Sequence, residues 1–361
     1  MMHWQQIQQQ FNISETDDFI SLLTDLLPPG NTLIITSAGF TRRGLSQKVL
    51  DRLPTDCVLL CDEITPNPEL LDLQRWAQRY QQNEISNIIA LGGGSVIDSA
   101  KVLCAMLSQP HLSLMELLAS SNPVNNLHLI AIPTTSGTGA EVTPFSTVWD
   151  SAAVKKYSLV GISADKIILD ASLTLSLPHQ QTLYPALDAL SHALESLWNK
   201  NRTISSADYA VQAIEAICQA LPAVLKQSDD FAARQTLQRA ASLAGLAICQ
   251  TRTAIAHAIS YPLTAAYGVP HGLACSFTLA AIIKEVGSEQ LNLSVALVDK
   301  VLNLLKSLAL DSEMAKFVSW QILLEQFDPA LDPARASNFI LEIHAALVGR
   351  LITQSHISAA L

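Results

Sequence analysis

Short apolar runs alternate with amphipathic stretches through the first half of the chain. Thr32 to Thr36, Cys57 to Cys61, Asn87 to Leu91 and His128 to Ile132 have the length and apolar character of buried strands, and Tyr157 to Val160 and Lys166 to Leu169 add two shorter ones. Alternation of this kind builds a parallel sheet with helices on its faces, since each strand returns to the same edge through a crossover. After Ser176-Leu177-Pro178 the period changes. Long helical patterns rich in Ala and Leu run to Leu361, with breaks expected at Pro222, Pro262, Pro270 and Pro329. The expected organisation is an α/β domain over residues 1–174 and an all-helical domain over residues 175–361. A chain of 361 residues is longer than one hydrophobic core usually supports, which agrees with two domains. No internal repeat or low-complexity segment stands out.

Composition narrows the classes of function. Hydrophobic residues make up 49% of the chain and charged residues 15%, so a large fraction is buried and an apolar subunit contact, a homodimer or a higher homo-oligomer, is expected. The net charge of −10 argues against a nucleic-acid partner, which needs a basic surface. Met1-Met2-His3-Trp4-Gln5-Gln6 lacks the basic and apolar run of a secretory signal. The most apolar candidate span, Leu243 to Ala266, is interrupted by Arg252 and His257, so no membrane association is expected and the protein is read as cytoplasmic. Cys57, Cys61, Cys104, Cys218, Cys249 and Cys275 are scattered without a Cys-x-x-Cys pair, the pattern of buried reduced thiols.

Candidate chemistry lies in three places. Asn87 to Leu91 runs straight into Gly92-Gly93-Gly94-Ser95-Val96-Ile97-Asp98, where glycines admit a close ligand and a helix starting near Ser95 presents free N–H groups to a pyrophosphate. The run is not Gly-x-Gly-x-x-Gly, and a plain strand-to-helix turn explains it equally well. Pro133-Thr134-Thr135-Ser136-Gly137-Thr138-Gly139 offers four hydroxyls and two glycines, suited to ribose and phosphate oxygens. In the second half, Asp188 and His192 are four residues apart, one helical turn, and His257 and His271 lie beyond on segments that Pro262 and Gly268 can separate. Read together, the four make one metal site of three imidazoles and a carboxylate, which suits Fe²⁺ or Zn²⁺ better than Mg²⁺ or Ca²⁺. Taken singly, each of these histidines is more often a hydrogen-bonded core residue than a ligand.

Gly92-Gly93-Gly94-Ser95 with Asp98 and Lys101, Pro133-Thr134-Thr135 with Gly137-Thr138-Gly139 and Glu141, Asp188-Ala189-Leu190 with His192 and Glu195, and Pro270-His271-Gly272 follow one another in an order that resembles the iron-containing (group III) alcohol dehydrogenase family. The likeness spans roughly residues 30 to 280. It implies a dehydroquinate synthase-like fold, an α/β nucleotide-binding domain joined to an all-α metal-binding domain. It also implies hydride transfer between NAD(H) or NADP(H) and a small-molecule alcohol or aldehyde, with iron native at the site and zinc a substitute. Two other readings stay open: a metal- and NAD-dependent lyase or cyclase of the dehydroquinate-synthase kind, and a non-catalytic nucleotide sensor. Net turnover of NADPH separates the first of these from a reductase.

Four further positions follow from the resemblance. Where family members carry an aspartate that binds the adenosine ribose, this chain has Ser37, and the nearby Arg42 and Arg43 can meet a 2′-phosphate, so NADPH is expected to be accepted and preferred. Lys156 matches a family lysine near the nicotinamide ribose. Tyr261 stands where many members have a second histidine in a proton relay; a tyrosine donates a proton but is a poor base near neutral pH, so aldehyde reduction is favoured over alcohol oxidation. The stretch from Thr251 to Thr264, with Arg252 before His257 and Ser260-Tyr261-Pro262 after it, resembles the phosphonoacetaldehyde-reducing branch, and Arg252 is the expected clamp for an anionic aldehyde.

Overall fold

The computed structural model describes residues 2–53, 57–153, 155–327 and 331–357; the break expected at Pro329 lies outside them. The described chain divides into two compact units, one of residues 1–135 and 140–174, the other of residues 136–139 and 175–361.

Among its described residues the first unit has eight strands: β1 (Ile13–Thr16), β2 (Asn31–Ile35), β3 (Val58–Cys61), β4 (Ile85–Gly92), β5 (His128–Pro133), β6 (Phe145–Asp150), β7 (Lys155–Val160) and β8 (Lys166–Asp170). Six of them form one parallel sheet in the order β1-β8-β5-β4-β2-β3, and β6 and β7 form a separate antiparallel hairpin. Successive residues of the central strands feed opposite faces. Leu33, Ile35, Ile88, Ala90, Leu129 and Ala131 join the core under the Leu70–Tyr80 and Gly94–Ser108 helices, while Ile34, Ile89, Leu91, Ile130 and Ile132 join a second core with Phe19, Leu23, Phe40 and Val49. Burial on both faces is why these strands read as near-continuous apolar runs. The edge strand β1, Ile-Ser-Glu-Thr, escaped that pattern because only Ile13 is fully buried, and its place is fixed by pairing with β8.

The second unit is helical among its described residues. The His179–Leu197, Ile204–Lys226 and Phe231–Thr251 helices form its centre, followed by Ile255–Tyr267 and the short His271–Ser276. Thr203 opens the second with a reciprocal cap to Ser206, and Asp230 opens the third by accepting from the Ala233 N–H. Two expected breaks do not occur: Pro222 lies inside Ile204–Lys226 and Pro262 inside Ile255–Tyr267. A proline forfeits one backbone bond and crowds one carbonyl, a cost of roughly 3 kcal/mol that burial of a whole helix face can exceed. Ala220, Leu221 and Val224 around the first, and Ile259 and Leu263 around the second, are buried. The chain does break at Gly268, left-handed at φ 64°, and restarts at Pro270. No described helix is long and apolar enough to cross a membrane.

Candidate metal centre and glycine turn

Steps of four and seven residues return to nearly one azimuth, so the His179–Leu197 helix carries Asp188, His192 and Glu195 on a single face. Ile255–Tyr267 brings His257 to that face in its first turn, and His271 arrives as the first residue of the next helix. That last approach depends on Gly272, where a Cβ would stand 1.8 Å from the carbonyl oxygen of Tyr184. Any side chain there would push the two helices apart.

Asp188 Oδ1 lies 3.6 Å from His192 Nε2, 3.4 Å from His257 Nε2 and 3.7 Å from His271 Nε2. These gaps are too long for good hydrogen bonds, whereas donors about 2.1 Å from one tetrahedral ion stand about 3.4 Å from each other. Asp188 Oδ1 and His257 Nε2 are buried and neither completes a hydrogen bond. Two orphaned polar atoms facing one another are costly unless a cation lies between them, so the donor set fits a divalent transition metal. The His192 and His257 rings stack at 4.8 Å, and His271 meets His257 edge-on at 5.3 Å. Asp188, His192 and His257 are nearly inaccessible, but the His271 side chain is 41% exposed, so the cluster opens past His271.

A buried carboxylate orders the cluster from behind. Glu195 Oε2 lies 2.5 Å from His257 Nδ1, and Oε1 accepts the His257 backbone N–H at 3.0 Å. Burial opposes the Glu195 charge, but His257 outweighs it and holds the carboxyl below its usual range. Burial likewise opposes the Asp188 charge, and His192, His271 and His257 reverse the balance to hold Asp188 strongly ionised. Burial pushes His192 towards its neutral, ligating form.

Sequence reasoning missed one neighbour. Cys275, buried one turn after His271, places Sγ 3.6 Å from the His271 ring nitrogens. Asp188, His257, His271 and Cys275 each offer a donor atom within 4.8 Å of the others. The available signal was the spacing His271-x-x-x-Cys275, the same helical step that pairs Asp188 with His192.

Tyr261, one turn after His257, has its ring 5.5 Å from the Arg335 guanidinium, and burial pushes its hydroxyl up to about 12 against the opposing pull of Arg335. Arg252 caps the Phe231–Thr251 helix with φ 66° and ψ 174°, a backbone region that side chains rarely adopt. Asn199 Nδ2 donates to the Arg252 carbonyl and Asn338 Nδ2 to that of Thr253, which holds this strained turn in place.

In the first unit, three neighbouring parallel strands end together. Ile35 pairs with Ala90 and Gly92 with Pro133, so Ser37, Gly92 and Thr134 occupy adjacent strand ends, with the Thr134 N–H bonded to the Gly92 carbonyl at 3.0 Å. The β2–β4 boundary, where chain order reverses, is the position at which open α/β sheets bind ligands. Gly93 caps the Gly94–Ser108 helix, and a Cβ at Gly92 would meet Val96 at 2.5 Å. Ser95 Oγ accepts the Asn67 N–H, and a Cβ on Gly93 would meet Thr135 Oγ1 at 3.1 Å, so Thr135 lines the same turn. Asp98 accepts the Thr147 N–H, and burial pushes its carboxyl up to about 6 although Lys101 and Lys156 favour the charge. Arg42 and Arg43 are exposed, with Arg43 stacked on Phe40 at 4.7 Å. Lys156 sits 5.1 Å above the Trp149 ring on the hairpin, and Thr138 is exposed. Gly137 and Gly139, read as ligand-facing, instead pack within the helical unit. Cβ atoms there would strike Pro185 at 2.5 Å and the Gly245 backbone at 2.5 Å.

Comparison with known proteins agrees with both halves. The family model "Iron-containing alcohol dehydrogenase" matches residues 11–171, and that of the "Fe-containing alcohol dehydrogenase family, C-terminal" matches residues 182–316. A phosphonoacetaldehyde reductase of Streptomyces viridochromogenes is 32% identical over 260 residues, 69% of this chain and 65% of that protein. The probable alcohol dehydrogenase EutG of Escherichia coli is 34% identical over 219 residues, 60% of this chain and 55% of the relative. The matched part of the chain thus spans less than two thirds of either relative. Among solved structures, an iron-containing alcohol dehydrogenase superposes with a TM-score of 0.79 at 26% identity, covering 95% of this chain and 96% of that one. A sulfoacetaldehyde reductase from Bifidobacterium kashiwanohense in complex with NAD⁺ superposes with a TM-score of 0.84 at 24% identity, covering 97% of each chain.

Proposed function

Because the chain belongs to the iron-containing alcohol dehydrogenase family, we propose that it is a metal-dependent, nicotinamide-linked aldehyde reductase that also runs as an alcohol dehydrogenase. The observation that carries this reading is the convergence of three imidazole Nε2 atoms on Asp188 Oδ1 at 3.4–3.7 Å in a cluster open on one side. Asp188, His192, His257 and His271 hold Fe²⁺ in this proposal, with Zn²⁺ a substitute. When bound, the ion supplies Lewis acidity to a carbonyl oxygen and the nicotinamide supplies hydride.

The remaining steps fall to the protein's own residues. Glu195 fixes the His257 tautomer by accepting a hydrogen bond from Nδ1–H, leaving Nε2 free to ligate. Gly92, Gly93, Gly94 and Ser95 bind the cofactor pyrophosphate at the helix start, with Asp98, Thr134, Thr135 and Thr138 placing its ribose and nicotinamide portions. Lys156 contacts the nicotinamide ribose. Ser37 leaves room for a 2′-phosphate, and Arg42 provides its counter-charge, so NADPH is preferred. Tyr261, with its proton held firmly, acts as a donor to the nascent alkoxide and not as a base, which favours reduction.

The substrate class proposed is a short anionic aldehyde such as phosphonoacetaldehyde, with Arg252 binding the anion. Its support is the left-handed backbone at Arg252, braced by Asn199 and Asn338, together with the likeness to a phosphonoacetaldehyde reductase. The test is NADPH consumption by anaerobically Fe²⁺-loaded protein over neutral, carboxylated and phosphonated aldehydes. Turnover of none of them removes the reductase reading, and equal turnover of all removes the anion preference.

A further inference from the structure

We propose that Cys275 is a direct donor to the metal, so that the centre carries one thiolate beside its imidazoles and carboxylate. The inference rests on the metal centre proposed above and adds a ligand to it. Asp188, His257 and His271 belong to two overlapping donor groups, one completed by His192 and the other by Cys275. In the second, all four donor atoms lie within 4.8 Å of one another, a few tenths of an ångström beyond the about 4.4 Å that separates opposite donors on an ion with a metal–sulfur bond of about 2.3 Å and metal–nitrogen bonds of about 2.1 Å, so a small inward movement brings them into one coordination sphere.

Two independent features place an ion within reach of that sulfur. The orphaned atoms Asp188 Oδ1 and His257 Nε2 are buried, on residues 3% and 5% exposed, and belong to the same group as Sγ. Helical geometry supplies the second, because Cys275 and His271 share a face one turn apart and the Sγ–imidazole distance is 3.6 Å. As the metal–sulfur bond forms, the thiol releases its proton to solvent and its lone pair enters the coordination sphere, with no change of oxidation state. A thiolate softens the donor set and shifts preference towards zinc and cobalt over manganese.

The experiment is X-ray absorption at the zinc edge on the full chain loaded with one equivalent of Zn²⁺, for the wild-type protein and for Cys275→Ser and Cys275→Ala. The expected result is one sulfur scatterer at about 2.3 Å in the wild type and only nitrogen and oxygen scatterers in both variants. The variants should also lose about tenfold or more in Zn²⁺ affinity while Mn²⁺ affinity moves little. A stoichiometric ion with nitrogen and oxygen neighbours alone in the wild type overturns the thiolate and leaves the metal centre standing. Failure of the wild type to bind any ion overturns both.

Discussion

Glu195 grips His257 at two points, with Oε2 2.5 Å from the ring Nδ1 and Oε1 3.0 Å from the backbone N–H. Ring orientation and tautomer are therefore set by a residue that itself touches no candidate ion. Glu195→Gln presents an amide N–H to one of those two donors and breaks the grip. Affinity for Zn²⁺ or Fe²⁺ should fall about 10–100-fold, with the helical content unchanged. Calorimetric titration of the metal-free protein checks this, and wild-type affinity in the variant would contradict it.

Gly272 admits no side chain, since a Cβ would overlap the Tyr184 carbonyl at 1.8 Å. Gly272→Ala should cost about 1–3 kcal/mol in urea unfolding, by overpacking, and should also cost metal retention, because His271 moves with its helix. Gly349→Ala is the control. Gly349 lies in the Ala345–Ile357 helix with open space around it, so alanine there should be neutral or stabilising by up to about 1 kcal/mol.

Ser37 sits at the end of β2, beside the glycine turn that ends β4. Ser37→Asp places a carboxylate where a 2′-phosphate would approach and should weaken NADPH relative to NADH by about tenfold or more. Fluorescence titrations with both nucleotides at one ionic strength measure the ratio. An unmoved ratio would place the adenosine elsewhere.

Burial raises the Asp98 carboxyl to about 6 from its ordinary value of 3.8. The folded state thus holds that proton more tightly than the unfolded chain does. The stability this confers is complete below pH about 4 and is gone above pH about 6. Asp98→Asn removes the titration while its amide oxygen can still accept the Thr147 N–H. The stability of wild type relative to Asp98→Asn should fall by at most about 3 kcal/mol between those pH values and stay flat above them. Paired denaturant curves from pH 4 to pH 8 test the slope, and a constant difference would refute it.

Arg252→Met should lower kcat/KM for phosphonoacetaldehyde by about 100-fold while leaving butanal within about threefold, if its guanidinium binds the anion. Equal losses on both aldehydes would make Arg252 a structural cap.

Much of the α/β half was legible because β2, β4 and β5 are buried on both faces and so write unbroken apolar runs. Strand β1 was illegible for the opposite reason, being a polar edge whose register comes from β8. Local spacing disclosed Asp188 with His192. Nothing local joins His257 or His271 to them, since that union depends on three helices meeting, and it rests on the donor chemistry of the four residues taken together and on the resemblance. The same limit hid Cys275, whose spacing from His271 was visible but whose proximity to Asp188 was not. Pro222 and Pro262 misled because their cost is local, while the compensating burial is spread along whole helices. Gly137 and Gly139 misled in a similar way, since a glycine that admits a ligand and one that admits a neighbouring helix look identical in a sequence.

The β6–β7 hairpin extends no larger sheet, yet it is not free to drift. Asp98 holds the Thr147 N–H at 2.9 Å, and three residues further along the same helix the buried Lys101 ammonium donates to the carbonyls of Ala140, Thr143 and Phe145 at 2.5, 2.6 and 3.0 Å. One anionic and one cationic side chain therefore hold opposite polarities of backbone in the hairpin and in the segment that leads into it. These rivets stand in the helix that begins at the glycine turn, and a push on that turn is a push on the hairpin.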